Sequence, residues 1–191
     1  SKTFNFVRLN IYPDGGVARL RLFGNIDLSL QKISNKNIID LASVINGSQV
    51  IACSDEHFGN ANNLLLPGKS INMGNGWETQ RRRGRGYDWV ILKLGLSGFP
   101  TSFEINTHYF KGNYPDCFSI QAINNNINLS INSIIKNSQK WQTIIAKTKL
   151  KPNSSLKIKA LKKFYKKFNY IKLNIYPDGG ISRFRVYGKI K

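Results

Sequence analysis

A phrase that occurs twice in this chain limits the folds it can adopt. Residues 6–26 read FVRLNIYPDGGVARLRLFGNI, and residues 170–190 read YIKLNIYPDGGISRFRVYGKI, aligned without a gap. In both copies branched and aromatic residues precede the turn sequence PDGG, and arginine alternates with apolar residues after it. This pattern predicts strand, turn and strand. Two such copies indicate a duplicated unit, so we expect one whole unit preceded by the end of another.

The chain between the two copies alternates short apolar runs with turns rich in Gly, Asn and Pro. Strands are predicted over VIACS, DWVILKLG, SFEINTHYF, DCFSIQAI and WQTIIAKTKL. Residues 57–87 are predicted as a long loop, 124–140 as a loose polar excursion, and SLKIKALKKFYKKF as a short helix or an edge strand. Short strands, many turns and little helix favour an all-β sandwich or jelly roll.

The composition of the chain limits the classes of binding partner that can be expected. The formal net charge is +19, which suggests nucleic acid or an acidic membrane surface. However, much of the excess lies in the lysine-rich residues 147–168, and Asn and Ile are abundant too. This compositional bias disfavours nucleic acid, and the chain holds no apolar run near the roughly 20 residues that cross a bilayer. Cys53 and Cys117 lie in apolar stretches, so we expect buried, reduced thiols and a cytoplasmic location, with a peroxisomal one as the alternative.

The segment SDEHFG concentrates groups that transfer protons. Asp55, Glu56 and His57 are consecutive and are followed by Gly59. A histidine flanked by carboxylates is suited to general acid–base work. The alternative is a turn in which these side chains only satisfy the backbone.

A second segment, GWETQRRRGRGYDW, combines basic, acidic and aromatic residues. Arginine makes planar, bidentate contacts with carboxylates and phosphates, so the segment suits a small anion. A solvated basic loop above core tryptophans and an RNA contact are the alternatives. Further along, Lys111 in HYFKGNYPD is either an anion ligand or part of a strand-end turn. The candidate residues of this segment are Trp77, Glu78, Arg81, Arg82, Arg83 and Asp88.

These motifs together resemble those of the allantoicase family. SDEHFG, NLLLPGKS, MGNGWETQRRR, YDWVILKLG, THYFKGNYPD and the repeated LNIYPDGG stand in the family's order over nearly the whole chain. The resemblance implies two homologous repeats, each a galactose-binding-like jelly-roll β-sandwich. Residues 1–26 then correspond to the C-terminal end of the first repeat, and residues 27–191 to the second.

The resemblance also implies an activity, the hydrolysis of allantoate to ureidoglycolate and urea in purine (allantoin) catabolism. Catalytic candidates are then Asp55, Glu56, His57, Glu78 and Asp88. Candidates for substrate binding are Trp77, Arg81, Arg82, Arg83 and Lys111. No spacing is diagnostic of a metal site, and a divalent metal stays open. A homo-oligomer is expected, because a strand pair from another repeat needs a partner.

Three positions depart from the family's pattern. Asn75 and Asn106 stand where an acidic residue is common, and Gln121-Ala122 replaces a Glu-Gly pair. Each change removes a carboxylate, and the last also removes the conformational freedom of a glycine. These losses favour the alternative function, a non-catalytic sandwich module that binds a carbohydrate or another small ligand.

Overall fold

Ten β-strands and one short α-helix form the described part of the chain. The computed structural model describes residues 3–4, 6–22, 24, 27, 37–125, 129–161 and 166–190. The strands are β1 (Ile39–Asp40), β2 (Gln49–Cys53), β3 (Trp77–Glu78), β4 (Asp88–Asn106), β5 (Cys117–Ile123), β6 (Gln142–Lys149), β7 (Ser155–Lys159), β8 (Phe168–Tyr176), β9 (Gly180–Ile181) and β10 (Arg183–Lys189). The helix α1 covers Ile131–Asn137, and single 3-10 turns cover Val44–Asn46, Ala61–Leu65, Met73–Asn75 and Ser138–Lys140.

Strand β4 contributes to both layers of the sandwich. Its first half pairs with β2 and β8, and β8 continues through β5 to β6. Its second half pairs with β10 and β7, and β10 pairs with β1. All of these pairings are antiparallel. The all-β architecture predicted from the sequence is therefore confirmed.

The core lies between the layers and follows the alternation of the strands. Leu173 and Ile175 of β8 are fully buried, as are Phe118 of β5 and Phe184 of β10. A second, smaller apolar cluster joins α1 to the outer face of the β8 layer. Its buried members are Ile91, Ile134, Trp141 and Tyr170.

Two sequence predictions about elements are wrong. The run DWVILKLG and the first half of SFEINTHYF, predicted as two strands, belong to the single strand β4, while Thr107–Phe110 lie in the loop that follows it. Its register shifts between Lys93 and Gly98, where the strand passes from one layer to the other. The polar excursion predicted over 124–140 contains α1, which begins after Ser130, because the Ser130 hydroxyl caps the Ser133 N–H at 3.3 Å. Residues 126–128 of that excursion lie outside the described residues.

The remaining local predictions concern one segment and the two cysteines, and their outcomes differ. SLKIK forms strand β7, one of the two alternatives for its segment, while residues 162–165 of that segment lie outside the described residues. Cys117 is buried as predicted, whereas Cys53 is only half-buried; neither forms a disulfide within the described residues. Within the described ranges, no helix is long and apolar enough to span a bilayer.

The two copies of the phrase differ in structure. The second copy forms β8, the PDGG turn, β9 and β10, as predicted. In the first copy, the described residues 6–22 form no strand, and Phe6 is 93% exposed. The reason lies in the neighbours: β8 is held between β4 and β5, whereas residues 6–22 have no such strands beside them in the described structure. Within the described residues of the first copy, the predicted strand pair is therefore not formed.

Candidate functional site

Four loops that are distant in sequence meet at one end of the sandwich. We call residues 54–60, 76–87, 107–116 and 177–180 the loop cluster. Strand β3 stands at its centre, because Glu78 bridges to Gly59 on one side and pairs with Gly180 on the other. The Gly180 N–H also donates to the Asn113 carbonyl at 2.8 Å. The chain thus brings most of the predicted site residues to one place.

Close packing, rather than a turn conformation, explains the glycine at the centre of the cluster. A Cβ on Gly180 would lie 1.9 Å from a ring carbon of Phe110, although its φ lies outside the left-handed region. The Phe110 ring is itself fully buried. Gly180 therefore allows the 107–116 loop to pack directly on the turn after β8.

Three of the predicted carboxylates are held by neutral hydrogen-bond donors of the loop cluster. Asp55 accepts a bond from the Gln80 N–H at 2.5 Å, and Glu56 accepts one from the Ala61 N–H at 3.0 Å. The carboxylate of Glu78 accepts a bond from the side-chain amide of Asn113. Glu56 is exposed, while Asp55 and Glu78 are partly exposed. Such groups can receive or donate a proton at the surface of the cluster.

The buried Asp88 and the partly exposed Arg82 form an ion pair that holds the framework of the cluster. Asp88 is 1% exposed and bonds to the Arg82 guanidinium, and it also accepts a bond from the Ser54 hydroxyl at 3.0 Å. The Arg82 backbone N–H donates to Asp178 in the PDGG turn at 2.9 Å. A buried carboxylate needs such compensation, so this pair fixes the arginine loop to the strand that follows it.

The remaining basic candidates face solvent. His57, Arg81, Arg83 and Lys111 are exposed, and within the described residues none of the four belongs to an ion pair. The His57 ring meets the Phe58 ring edge-on at 4.5 Å between centroids. The guanidinium groups of Arg81 and Arg83 and the ammonium group of Lys111 are available to an incoming anion.

Trp77 lies under the cluster rather than in it. Its side chain is fully buried, and its indole N–H donates to the Asp55 carbonyl at 2.8 Å. This bond connects the core to the SDEHFG loop. The position of Trp77 is that of a support for Asp55.

Sequence reasoning missed three residues of the cluster. Thr79 accepts a bond from the Gly179 N–H at 3.1 Å, Asn113 holds Glu78, and Asp178 holds the Arg82 backbone. The LNIYPDGG phrase contributes none of the predicted site residues, yet the contacts of Asp178 and Gly180 make its turn a wall of the cluster.

The three departures from the family pattern have different surroundings. Asn75 accepts two bonds from the guanidinium of the buried Arg183, each at 2.6 Å. Asn106 accepts bonds from the His108 N–H and the Ser182 hydroxyl at the end of β4. Gln121 bonds to Asn174 and to the Trp141 carbonyl, on the outer face of the β8 layer. Only Asn106 and Asn75 adjoin the loop cluster.

Burial and charge shift the pKa of one thiol beside the cluster. Burial, together with Glu56 and Asp55 nearby, raises the pKa of Cys53 to about 11. A thiol with such a pKa is protonated and unreactive at neutral pH. Across the described ranges, no group of three or more His, Cys, Asp or Glu side chains is placed to hold a metal ion.

A separate cleft of about 260 Å³ lies beside α1. None of the residues predicted for the site lines it. Its walls include Ile134, Trp141 and Tyr170. The cleft therefore belongs to the smaller apolar cluster and not to the loop cluster.

Comparison with known proteins identifies the family. The sequence profile of the allantoicase repeat matches residues 1–27 and 39–191. The chain belongs to the allantoicase family. It is 45% identical to a probable allantoicase of Acinetobacter baumannii over 98% of the chain and 55% of that relative. It is 42% identical to a probable allantoicase of Pseudomonas syringae pv. tomato over 99% of the chain and 57% of that relative. The chain thus spans little more than half the length of these relatives.

Solved structures agree with the fold. The allantoicase of Saccharomyces cerevisiae superposes with a TM-score of 0.69 and 34% identity, over 79% of this chain and 43% of that one. A fucolectin from striped bass superposes with a TM-score of 0.58 at 14% identity, over 80% of this chain and 48% of that one. The second likeness concerns the fold alone. The predicted galactose-binding-like jelly-roll class is confirmed.

Proposed function

We propose that this chain is the sandwich unit of an enzyme that hydrolyses allantoate to ureidoglycolate and urea. One observation carries the proposal: the loops that hold the predicted acids and cations converge around Glu78, although they are far apart in sequence. Membership of the allantoicase family supports the same activity. As a domain proposal, residues 1–26 are the end of a first repeat and residues 27–191 are a second.

The surroundings of each candidate suggest its role. Arg81 and Arg83 are exposed and outside the ion pairs of the described residues, so they suit the carboxylate of allantoate. Arg82 is engaged by Asp88 and Asp178, which makes it a positioning residue. Lys111 offers a further positive charge to the substrate.

The acids supply proton transfer in this proposal. Loss of urea requires a proton on the departing nitrogen, and addition of water requires a base. Glu78 is the favoured group, because Asn113 fixes one oxygen of its carboxylate at the centre of the cluster. Glu56 and His57 stand on the adjacent loop and are the candidates for the second proton transfer. Asp55 and Asp88 hold the loops that carry these groups.

Urea release from allantoate tests the activity. We expect Glu78→Gln to lower kcat/KM about 10²- to 10⁴-fold, the range typical of a lost acid or base. Glu104→Gln is the matched control, because Glu104 lies on β4 and bonds to Ser155 and Tyr187 outside the loop cluster. No urea from the folded chain, or equal effects of the two substitutions, would contradict the proposal. Allantoate binding in a calorimeter without urea release would instead favour the non-catalytic module.

A further inference from the structure

Aromatic and aliphatic side chains form the floor of the cleft beside α1. The rings of Trp141 and Tyr170 lie 6.1 Å apart between centroids, with 56° between their planes. Ile134 of α1 is buried in the same cluster, and Ile123 and Leu129 also line the cleft. Its volume of about 260 Å³ is just below the roughly 300–1,000 Å³ typical of pockets for drug-sized ligands. The cleft therefore suits a smaller molecule with an apolar body.

The two aromatic residues of the floor also carry hydrogen-bond donors. Trp141 and Tyr170 are only 7% and 8% exposed. Within the described residues, neither the Trp141 indole N–H nor the Tyr170 hydroxyl makes a hydrogen bond. Largely buried groups of this kind usually have a partner. Both donors are thus available to an acceptor that enters the cleft.

The charge on the residues that line the cleft is positive. Lys140 lies at its edge, is exposed, and belongs to no ion pair of the described residues. The chain has no acidic residue between Asp116 and Asp178, and every residue that lines the cleft lies in this span. A ligand with a negative group therefore has a partner at the cleft, whereas a cation has none.

Hydrogen bonds outside the cleft hold its walls in place. Asn169 exchanges two hydrogen bonds with the backbone of Asn125, each at 2.8 Å. The Gln121 side-chain amide donates to the Trp141 carbonyl at 3.2 Å, and the Ser138 hydroxyl donates to the Ile135 carbonyl at 2.7 Å. Because these walls are fixed without a ligand, binding would order few additional side chains.

We infer that this cleft binds a small aromatic carboxylate. The ring of the ligand packs on Trp141 and Tyr170, since aromatic rings favour tilted and offset contacts. Its carboxylate meets the Lys140 ammonium group and accepts from the indole and hydroxyl donors. The cleft shares no residue with the loop cluster, so this site is independent of the proposed function.

Phenylacetate added to the isotopically labelled whole chain tests the inference by NMR. We expect the Trp141 indole N–H resonance, assigned with Trp141→Phe, to shift with a Kd of about 0.1–1 mM, because few non-hydrogen atoms limit the affinity. The indole resonance of Trp77, which is buried in the main core, should not shift. Acetate lacks the ring and phenethylamine carries a cation instead of the carboxylate, so each should bind at least about tenfold more weakly.

A matched pair of lysine substitutions locates the carboxylate. Lys140→Gln should weaken phenylacetate binding about two- to fivefold, the range of an exposed ion pair. Lys136→Gln is the control, because Lys136 is exposed on α1, does not line the cleft, and its loss changes the net charge equally. Tyr170→Phe should also weaken binding, since it removes the hydroxyl and keeps the ring. Circular dichroism checks that each variant is folded.

Thermal unfolding gives a second measurement. Phenylacetate at ten times its Kd should raise Tm by about 3–6 °C, and phenethylamine at the same concentration should not. An unshifted Trp141 resonance at about 20 mM phenylacetate would overturn the inference. Equal Kd values for phenylacetate and phenethylamine, or equal effects of the two lysine substitutions, would also overturn it. The same holds if phenylacetate shifts only resonances of the loop cluster, because the anion would then lie at the proposed active site.

Discussion

Gly180→Ala and Gly16→Ala are the same substitution at equivalent positions of the two copies of the repeated phrase. In the second copy the new Cβ would lie 1.9 Å from a ring carbon of the fully buried Phe110. In the first copy, no atom of the described residues lies within 4 Å of the new Cβ. Neither glycine has a left-handed φ, so backbone strain contributes to neither variant. The comparison therefore isolates packing.

The expected magnitude follows from the confinement of the Phe110 ring. A Cβ on Gly76 would lie 2.9 Å from the other side of this ring, so the ring has little room to move. Overpacking of this kind costs about 3 kcal/mol, the upper part of its usual range. For a domain of this size, that is a decrease in Tm of about 6–12 °C. Gly16→Ala should change the free energy of unfolding by less than about 0.5 kcal/mol.

Thermal unfolding followed by near-ultraviolet circular dichroism measures both variants. Gly180→Ala should also weaken any binding of allantoate, because the 107–116 loop and Asn113 are displaced with Phe110. If the two alanines change Tm equally, the packing argument is refuted. The same holds if Gly180→Ala is as stable as the parent chain.

Two further predictions concern single groups. Asn75→Asp should stabilise the protein by about 1 kcal/mol, because burial lowers the pKa of Arg183 and a carboxylate would favour its charged form. The gain, measured by urea unfolding, should be present at neutral pH and disappear as the pH falls below about 4, where the introduced carboxyl is protonated; a loss of stability at pH 7 would contradict it. The pKa of the Cys53 thiol is raised to about 11, so its rate of reaction with a thiol reagent should increase about tenfold per pH unit between about pH 8 and pH 10. A rate that reaches a plateau by about pH 9 would contradict the raised pKa.

Much of the sandwich could be predicted from sequence, because alternation within strands and turn chemistry are local signals. The VIACS strand and the strands of the second phrase are examples. Helix α1 was missed because its residues Asn132, Ser133 and Asn137 are polar, and its order depends on Ile134 packing onto the outer face of the sheet. The continuity of β4 was missed because glycine is common in turns, and Gly95 and Gly98 were read in that way. In the structure these glycines lie inside the strand, where other parts of the chain approach its backbone too closely for a side chain.

The site was predictable in its residue types but not in its contacts. Asp88 and Trp77 were predicted as site residues together with Glu56 and His57. In the structure the first two are buried and the last two are exposed, a difference that the sequence does not show. Asp178 was classified with the turn because its partner, the Arg82 N–H, is far away in sequence. Assignments of this kind depend on pairings between distant loops, which local patterns do not contain.

The passage of β4 through both layers has a consequence for unfolding. A sandwich whose sheets share no strand can loosen one sheet while the other persists. Here the first half of β4 pairs with strands of one layer and its second half pairs with strands of the other. Because β4 is shared, the loss of either layer exposes the backbone of a strand to which the remaining layer is hydrogen-bonded. The amides of β8 and β10 should consequently exchange with solvent in one concerted opening, and the loop cluster at the end of the sandwich rests on a single cooperative unit.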